Sequence, residues 1–329
     1  MELDGKAVLV TGATGSFGKK FISILLRRHS PRKVVVFSRD ELKQFEMANS
    51  PEFAGNRLLQ YFIGDIRELE RLRTAFRGID YIVHAAALKQ VPACEYNPFE
   101  AIKTNILGAQ NIITAAIECG VKKVVALSTD KAAGPINLYG ATKLCSDKLF
   151  IASHHMAGAS KTSFAVVRYG NVFGSRGSVA PFFLRQAKVD GRITVTDKRM
   201  TRFSITLGEG AAFVLDCLHR MRGGELFVPK IPSYRILDVA EAIAPGVPIE
   251  EIGIRAGEKL HEAMITADDA RNTVEFPEHY IIQPPFEWWT PPVDGEPCRE
   301  NFSYTSDRND RWLTVEELRA LAKRECLKG

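Results

Sequence analysis

The chain has 329 residues, enough to bury a sizeable core and slightly large for one compact unit. Apolar residues make up 45% and charged residues 25%, an ordinary balance for a soluble globular protein, and no apolar run approaches the roughly 18 residues that span a bilayer. A net charge of +5 suits an anionic ligand, yet the basic residues are dispersed, which argues against nucleic acid or a membrane surface as partner.

The N-terminus, "MELDGKAVLV", carries acids before a short strand-like run, so it does not read as a signal peptide and a cytoplasmic location is expected. "KAVLV" (6–10) is the first strand, and a helix follows from Ser16 to Arg28. "KVVVF" (33–37), "LLQYFI" (58–63), "YIVHAA" (81–86) and "KKVVAL" (122–127) are further strands, separated by helical patterns such as the stretch 98–120. "FAVVRYGNV" (164–172) closes the series. Continuous β-branched runs between helices indicate parallel strands covered on both faces. The fold class is therefore α/β, a Rossmann-like doubly wound parallel sheet. From about residue 170 the pattern shortens, and we divide the chain into a dinucleotide-binding domain, 1–169, and a smaller substrate lobe, 170–329. The proline-rich stretch 284–298 reads as a loop or extended arm, and Thr314-x-x-Glu317 as a capping box that opens a last helix.

The six cysteines form no CxxC and read as reduced structural thiols. His261-Glu262 begins like HExxH, but Ile265 stands where the second histidine is required, so no metal is expected.

Directly after the first strand, "TGATGSFG" sets Gly12, Thr14, Gly15, Ser16, Phe17 and Gly18 at the mouth of the first helix. Gly12 permits the tight turn, Gly15 lets backbone approach a pyrophosphate, and Gly18 lets helix and sheet pack closely. The helix N-terminus then offers free N–H groups to phosphate. The second strand ends in Ser38-Arg39, where a hydroxyl and a guanidinium suit a 2′-phosphate, so NADP is favoured over NAD, with Asp40 leaving some ambiguity. Asp65-Ile66 after the third strand falls beside the adenine, although Asp65 also suits a helix N-cap. Ala86 and Lys89 follow the fourth strand, where Lys89 can reach cofactor or sugar.

"LSTDKAAGPINLYGATK" (127–143) places Thr129, Asp130 and Lys131 in a row and adds Tyr139 and Lys143, which share one helix face. With TGxxGxxG, this resembles the extended short-chain dehydrogenase/reductase family. Within it, "STDKA" is similar to the Thr-Asp-acid segment of nucleotide-sugar 4,6-dehydratases, with Lys131 replacing the usual glutamate. "FSRDELKQFEM", "HAAALKQVP", "RYGNVFGSRGSV", "MTRF" and "GIRAGEKLHEAMI" extend the likeness to the subgroup of inverting UDP-N-acetylglucosamine dehydratases of pseudaminic acid synthesis and flagellin glycosylation, over residues 1 to about 310.

The resemblance implies a hydro-lyase that acts on UDP-N-acetylglucosamine and gives UDP-2-acetamido-2,6-dideoxy-β-L-arabino-hex-4-ulose, in a homo-oligomer, dimer or hexamer. It implies Tyr139 as base at the C4 hydroxyl, Lys143 on the nicotinamide ribose, Thr129 at the C4 oxygen, Lys131 as base at C5 and Asp130 as acid at the C6 hydroxyl. It also implies that Asn171 and Arg255 meet the nucleotide diphosphate, with Glu258 nearby, while Arg202 is as readily an internal ion pair as a ligand contact. An Asp–Lys pair in direct contact resists these acid and base roles, because each charge stabilises the other. The other readings are a 4-epimerase of the same superfamily, which has no use for Asp130-Lys131, and a non-enzymatic redox sensor, which has no use for Tyr139 and Lys143.

Overall fold

The computed structural model describes residues 3–156, 162–175, 177–286, 289 and 294–326. The apolar runs of the first half become β1 (Ala7–Thr11), β2 (Lys33–Ser38), β3 (Leu59–Ile63), β4 (Tyr81–His84), β5 (Lys123–Thr129) and β6 (Ser163–Tyr169), and helix α1 (Ser16–Arg28) follows β1. The strands lie in the order β3-β2-β1-β4-β5-β6 and are all parallel. Every residue of β1 and β4 is buried, which is why these strands carry no polar–apolar alternation. Strand order reverses between β1 and β4, so the carboxyl ends of these two open into a crevice.

A small hydrogen-bonded clamp holds that reversal. The Thr11 hydroxyl accepts from the backbone N–H of Ala85 (3.1 Å) and Ala86 (3.3 Å). Its own proton is then directed to Nδ1 of His84, 2.8 Å away. His84 is fully buried, and burial together with the Lys143 charge holds its pKa down at about 3, so the ring accepts in the neutral form.

Two elements differ from the sequence expectation. The stretch 98–120 is not one α-helix but Pro98–Ile102, a wide π turn at Lys103–Leu107, and Gly108–Glu118. The wide turn aims buried Asn105 inward, where it donates to the Leu88 carbonyl (2.8 Å) and the Thr142 hydroxyl (3.0 Å) and accepts from Leu88 N (2.9 Å). The run 164–172 is two strands, because the chain leaves the main sheet at Gly170 and Asn171–Val172 pairs with Ser204–Ile205. A side chain at 170 would meet Phe203 Cβ at 2.6 Å, so only glycine lets the chain cross there.

Residues beyond 170 serve both halves of the molecule. Leu226–Pro229 adds parallel to β6, and three antiparallel strands extend the sheet to ten. Helix Leu207–Arg220 packs on α1. The rest encloses a second hydrophobic cluster that includes Phe173, Phe183, Met200, Tyr234, Val239 and Leu318. The Thr314–Glu317 capping box opens helix Val315–Glu325, and all six cysteines are free thiols. Of the proline-rich stretch, 287, 288 and 290–293 lie outside the described residues. Among the described residues no helix is long and apolar enough to cross a membrane.

The clamp makes a pH prediction. An unfolded histidine titrates near 6.5, whereas folded His84 titrates at about 3. Between those values the unfolded chain takes up a proton that the folded chain refuses, so stability falls as pH falls through this window, by up to about 1.4 kcal/mol per unit. Denaturant melts between pH 7 and 4 should therefore show a shallower loss in His84→Gln than in the wild type. Parallel losses would contradict the clamp.

Candidate active site

The crevice above the strand reversal has a volume of about 1050 Å³. Its walls bring together residues that sequence placed far apart: Gly12 to Gly18, Ser38 to Asp40, Asp65 and Ile66, Ala86 and Lys89, Thr129 to Lys131, Tyr139, Lys143 and Asn171. Gly12 has φ +64°, and a Cβ on it would lie 2.9 Å from Ala86 N. A Cβ on Gly18 would lie 2.5 Å from both Cα and O of Ala13, so this glycine admits the loop's own backbone rather than a neighbouring strand. Gly15 is the N-cap of α1 and supplies no side chain to the first helical N–H groups. Those donors face the crevice unspent, which is the donor set that a pyrophosphate needs.

At the far end, Asp40 is the N-cap of Glu41–Ala48: it accepts from Lys43 N (3.0 Å) and pairs with the Lys43 ammonium (2.7 Å), and these contacts hold its carboxyl below the usual range. Arg39 is half exposed and lies 3.4 Å from Asp65. Asp65 does not cap the next helix, whose N-cap is Glu68. Its carboxylate instead accepts from Arg67 N, Nε and Nη2 at 2.9, 2.9 and 2.7 Å. Burial pushes this carboxyl up, but the Arg67 hydrogen bonds and the Arg67 and Arg39 charges outweigh it and leave it below its ordinary value. The Ser38 hydroxyl is fixed by Gln44 at 3.1 Å. Lys43 also lines this end, a second cation that the spacing rule did not single out.

The opposite wall begins where β5 ends. Thr129 donates to Asp130 Oδ1 (2.9 Å) and accepts from Lys131 N (3.3 Å), and so starts a single 3-10 turn, Asp130–Ala132. Asp130 is buried, and its Oδ2 has no hydrogen-bond partner among the described residues. Lys131 Nζ sits 3.0 Å from Asp130 Oδ1 and 3.2 Å from Glu262 Oε1. Burial alone would lower the pKa of this amine, but the two carboxylates overcome it and drive the pKa well above the ordinary lysine value. Burial pushes the Tyr139 phenol up to about 12, against the Lys131 ammonium and the Thr129 hydroxyl, which pull it down. The cation named in that balance is thus Lys131, which sequence reading assigned to a different step. Burial lowers the Lys143 pKa while Asp147, one helical turn on, raises it. Asp147 is itself tied to the Ser128 hydroxyl (2.7 Å) and Arg168 Nη2 (3.2 Å).

On the sugar side, Asn171 lines the crevice with a buried Oδ1 that has no hydrogen-bond partner among the described residues, and Lys89 lines it from an exposed position. Arg202 is turned inward: Nη1 donates to the carbonyls of Thr201 (2.8 Å) and Leu260 (3.0 Å), Nη2 meets Glu258 (3.5 Å), and Nε lies 3.8 Å from Glu262. Of the two alternatives that sequence left open for Arg202, this is the ion pair. Arg255 is exposed on the loop before Glu258. Sequence reasoning missed Glu262, Asp147 and Asn105. Glu262 was noticed only as the second letter of a failed metal motif. A charged residue with no helical or strand pattern around it, as in "GEKLHEAMI", was the available signal.

A reversal-point crevice with a glycine loop on one wall and a Tyr-x3-Lys helix on the other is the architecture of the extended short-chain dehydrogenase/reductases. Comparison with known proteins agrees. A family model described as "Polysaccharide biosynthesis protein" matches residues 8–284. The chain is 52% identical over 325 residues to the UDP-N-acetylglucosamine 4,6-dehydratase (inverting) of Campylobacter jejuni subsp. jejuni serotype O:23/36, covering 96% of each chain. It is 38% identical over 338 residues to the UDP-glucose 4-epimerase of Rickettsia canadensis, covering 96% of this chain and 95% of that one. The X-ray structure of Pen from Bacillus thuringiensis superposes with a TM-score of 0.91 at 41% identity, covering 99% of both chains. The chain belongs to the polysaccharide biosynthesis protein family.

The close approach at Gly18 is directly testable. Because backbone, not a flexible side chain, occupies the space, Gly18→Ala should cost about 1–3 kcal/mol in a denaturant melt. A stability equal to the wild type would show that the loop can move aside.

Proposed function

We propose that the protein is a nucleotide-sugar 4,6-dehydratase, a hydro-lyase that takes UDP-N-acetylglucosamine, uses NADP and inverts C5, for pseudaminic acid and glycan synthesis. The observation that carries this reading is the Asp130–Lys131 pair beside Thr129 and Tyr139 on the crevice wall. The 52% identical Campylobacter dehydratase supports it. A 4-epimerase, the activity named for the Rickettsia relative, needs Tyr139, Lys143 and a dinucleotide but no acid–base pair aimed at C5 and C6.

The residues present fit a dinucleotide. The uncapped N-terminus of α1, which the close backbone packing at Gly12 and Gly18 sets at the crevice, and Arg39 with Lys43 would hold pyrophosphate and a ribose phosphate. The bound dinucleotide supplies a reversible acceptor for an electron pair and hydrogen, taken from C4 and returned at C6. The chain's own residues do the rest. Tyr139 takes the C4 hydroxyl proton, and Thr129 holds the C4 oxygen. Lys143, whose amine lies buried below Tyr139 on the same helix, serves the ribose end of the cofactor. A ketone at C4 makes the neighbouring C5 proton acidic. Lys131 must then be an amine and Asp130 an acid. One proton transfer across their 3.0 Å contact creates both at once and leaves the total charge unchanged. The Lys131 amine removes the C5 proton, the C5–C6 double bond forms, and the C6 oxygen leaves as water with the Asp130 proton. Asn171 and Arg255 would hold the diphosphate, with Glu258 nearby.

Incubation with UDP-N-acetylglucosamine and dinucleotide is the test. The product should be lighter by the mass of one water, with the L-configuration at C5 by NMR. A product of unchanged mass would establish the epimerase instead. For the cofactor, Arg39→Ala should weaken NADP by about ten- to a hundredfold and leave NAD nearly unaffected, as measured by titration calorimetry. Equal weakening of the two would remove the 2′-phosphate contact.

A further inference from the structure

Glu262 stands in the ion-pair chain behind Lys131 without a role in the reaction above. It is 3% exposed, on the segment entering strand Ala263–Ile265. Its backbone is pinned on both sides, because Glu262 N donates to Ser306 Oγ (2.9 Å) and Ser306 N donates to the Glu262 carbonyl (2.8 Å). Its carboxylate places Oε1 3.2 Å from Lys131 Nζ and 3.8 Å from Arg202 Nε, while Oε2 is buried with no partner among the described residues. A buried carboxylate left half-satisfied is costly unless something holds it there.

The sequence of protonation states shows what it does. In the resting site two carboxylates flank the Lys131 ammonium, Asp130 and Glu262. Asp130 is protonated, and so neutral, until it gives its proton to the leaving C6 oxygen. The C4 ketone makes the C5 proton the first to go, so Lys131 becomes an ammonium while Asp130 is still neutral. Glu262 is then the only ionised carboxylate paired with the nascent charge among the described residues. A charge formed in a buried site needs a counter-charge already in place.

We infer that Glu262 is a positioning residue for the elimination step: it fixes Lys131 Nζ and supplies the counter-charge for the ammonium that forms there, with Arg202 Nε 3.8 Å from the same carboxylate oxygen. No atom is transferred to or from Glu262. The proton moves from C5 to Lys131 Nζ, and another from Asp130 to the departing oxygen. This inference rests on Lys131 being the C5 base, as proposed above.

The experiment follows the reaction in stages with UDP-N-acetylglucosamine and the cofactor-loaded enzyme. Stopped-flow absorbance reports transient reduced cofactor, and NMR in heavy water reports deuterium arriving at C5. In Glu262→Gln the reduced cofactor should appear at close to the wild-type rate, because the Asp130 carboxylate still holds the Lys131 ammonium near Tyr139 during that step. Its decay and the deuterium signal should slow roughly a hundredfold, with KM unchanged. Glu262→Asp, which keeps the charge at shorter reach, should recover part of that loss. Unaltered decay in Glu262→Gln, or appearance and decay slowed alike in both variants, would overturn the inference. Should Glu262→Gln not fold, Glu262→Asp decides alone, and elimination at the wild-type rate overturns the idea. Lys131→Met separates the two layers. Full product from Lys131→Met overturns the base assignment, whereas a block there with normal elimination in Glu262→Gln overturns only the role of Glu262.

Discussion

Lys131 lies between Asp130 and Glu262 because three distant pieces of chain converge at the crevice wall, where its ammonium is largely shielded: the turn after β5, the Arg202 strand and the segment entering Ala263–Ile265. An ammonium taken out of water is tolerated only where opposite charge meets it in good geometry. The arrangement therefore constrains everything around it. β5 must end at Thr129 so that the 3-10 turn can bend Asp130 inward, and Ser306 must hold the backbone of Glu262. Arg202 must reach the second carboxylate to balance it. The same ammonium is the cation that draws down the Tyr139 phenol, so the groups for the two halves of the reaction share one source of charge.

The parallel sheet supplies the other half of the site with simpler means. Strand reversal between β1 and β4 opens the crevice, and the Thr11–His84 clamp keeps it registered. Small residues keep one wall thin, whereas the facing wall is dense with ionisable groups. The two walls thus divide the work: backbone donors and exposed cations on one side for phosphates, and buried, mutually balanced charges on the other for proton movement.

What was legible in the sequence follows this division. Gly12, Gly15 and Gly18, and likewise Tyr139 and Lys143, declare themselves through spacing within one loop or one helix, because their geometry is local. The strand runs are legible for a similar reason, since burial on both faces leaves an unbroken apolar signature. The π turn at Lys103–Leu107 escaped because one extra residue in a helical turn leaves the apolar periodicity of 98–120 nearly intact. The division at Gly170 escaped because strand formers, Tyr169 before it and Val172 after it, stand on both sides. Glu262 was out of reach for a stronger reason. Its partner Lys131 is close only after the second half of the chain has folded back, and no local pattern encodes that distance.

The pinning of Glu262 by Ser306 has a consequence for how the molecule comes into being. A ribosome finishes the glycine loop and β1 to β6 well before it reaches Ser306, so the anchor that steadies the far side of Lys131 emerges much later. The nascent protein thus owns a nucleotide shelf long before it owns a balanced acid–base centre, and the chemistry can switch on only after Ser306 has been made.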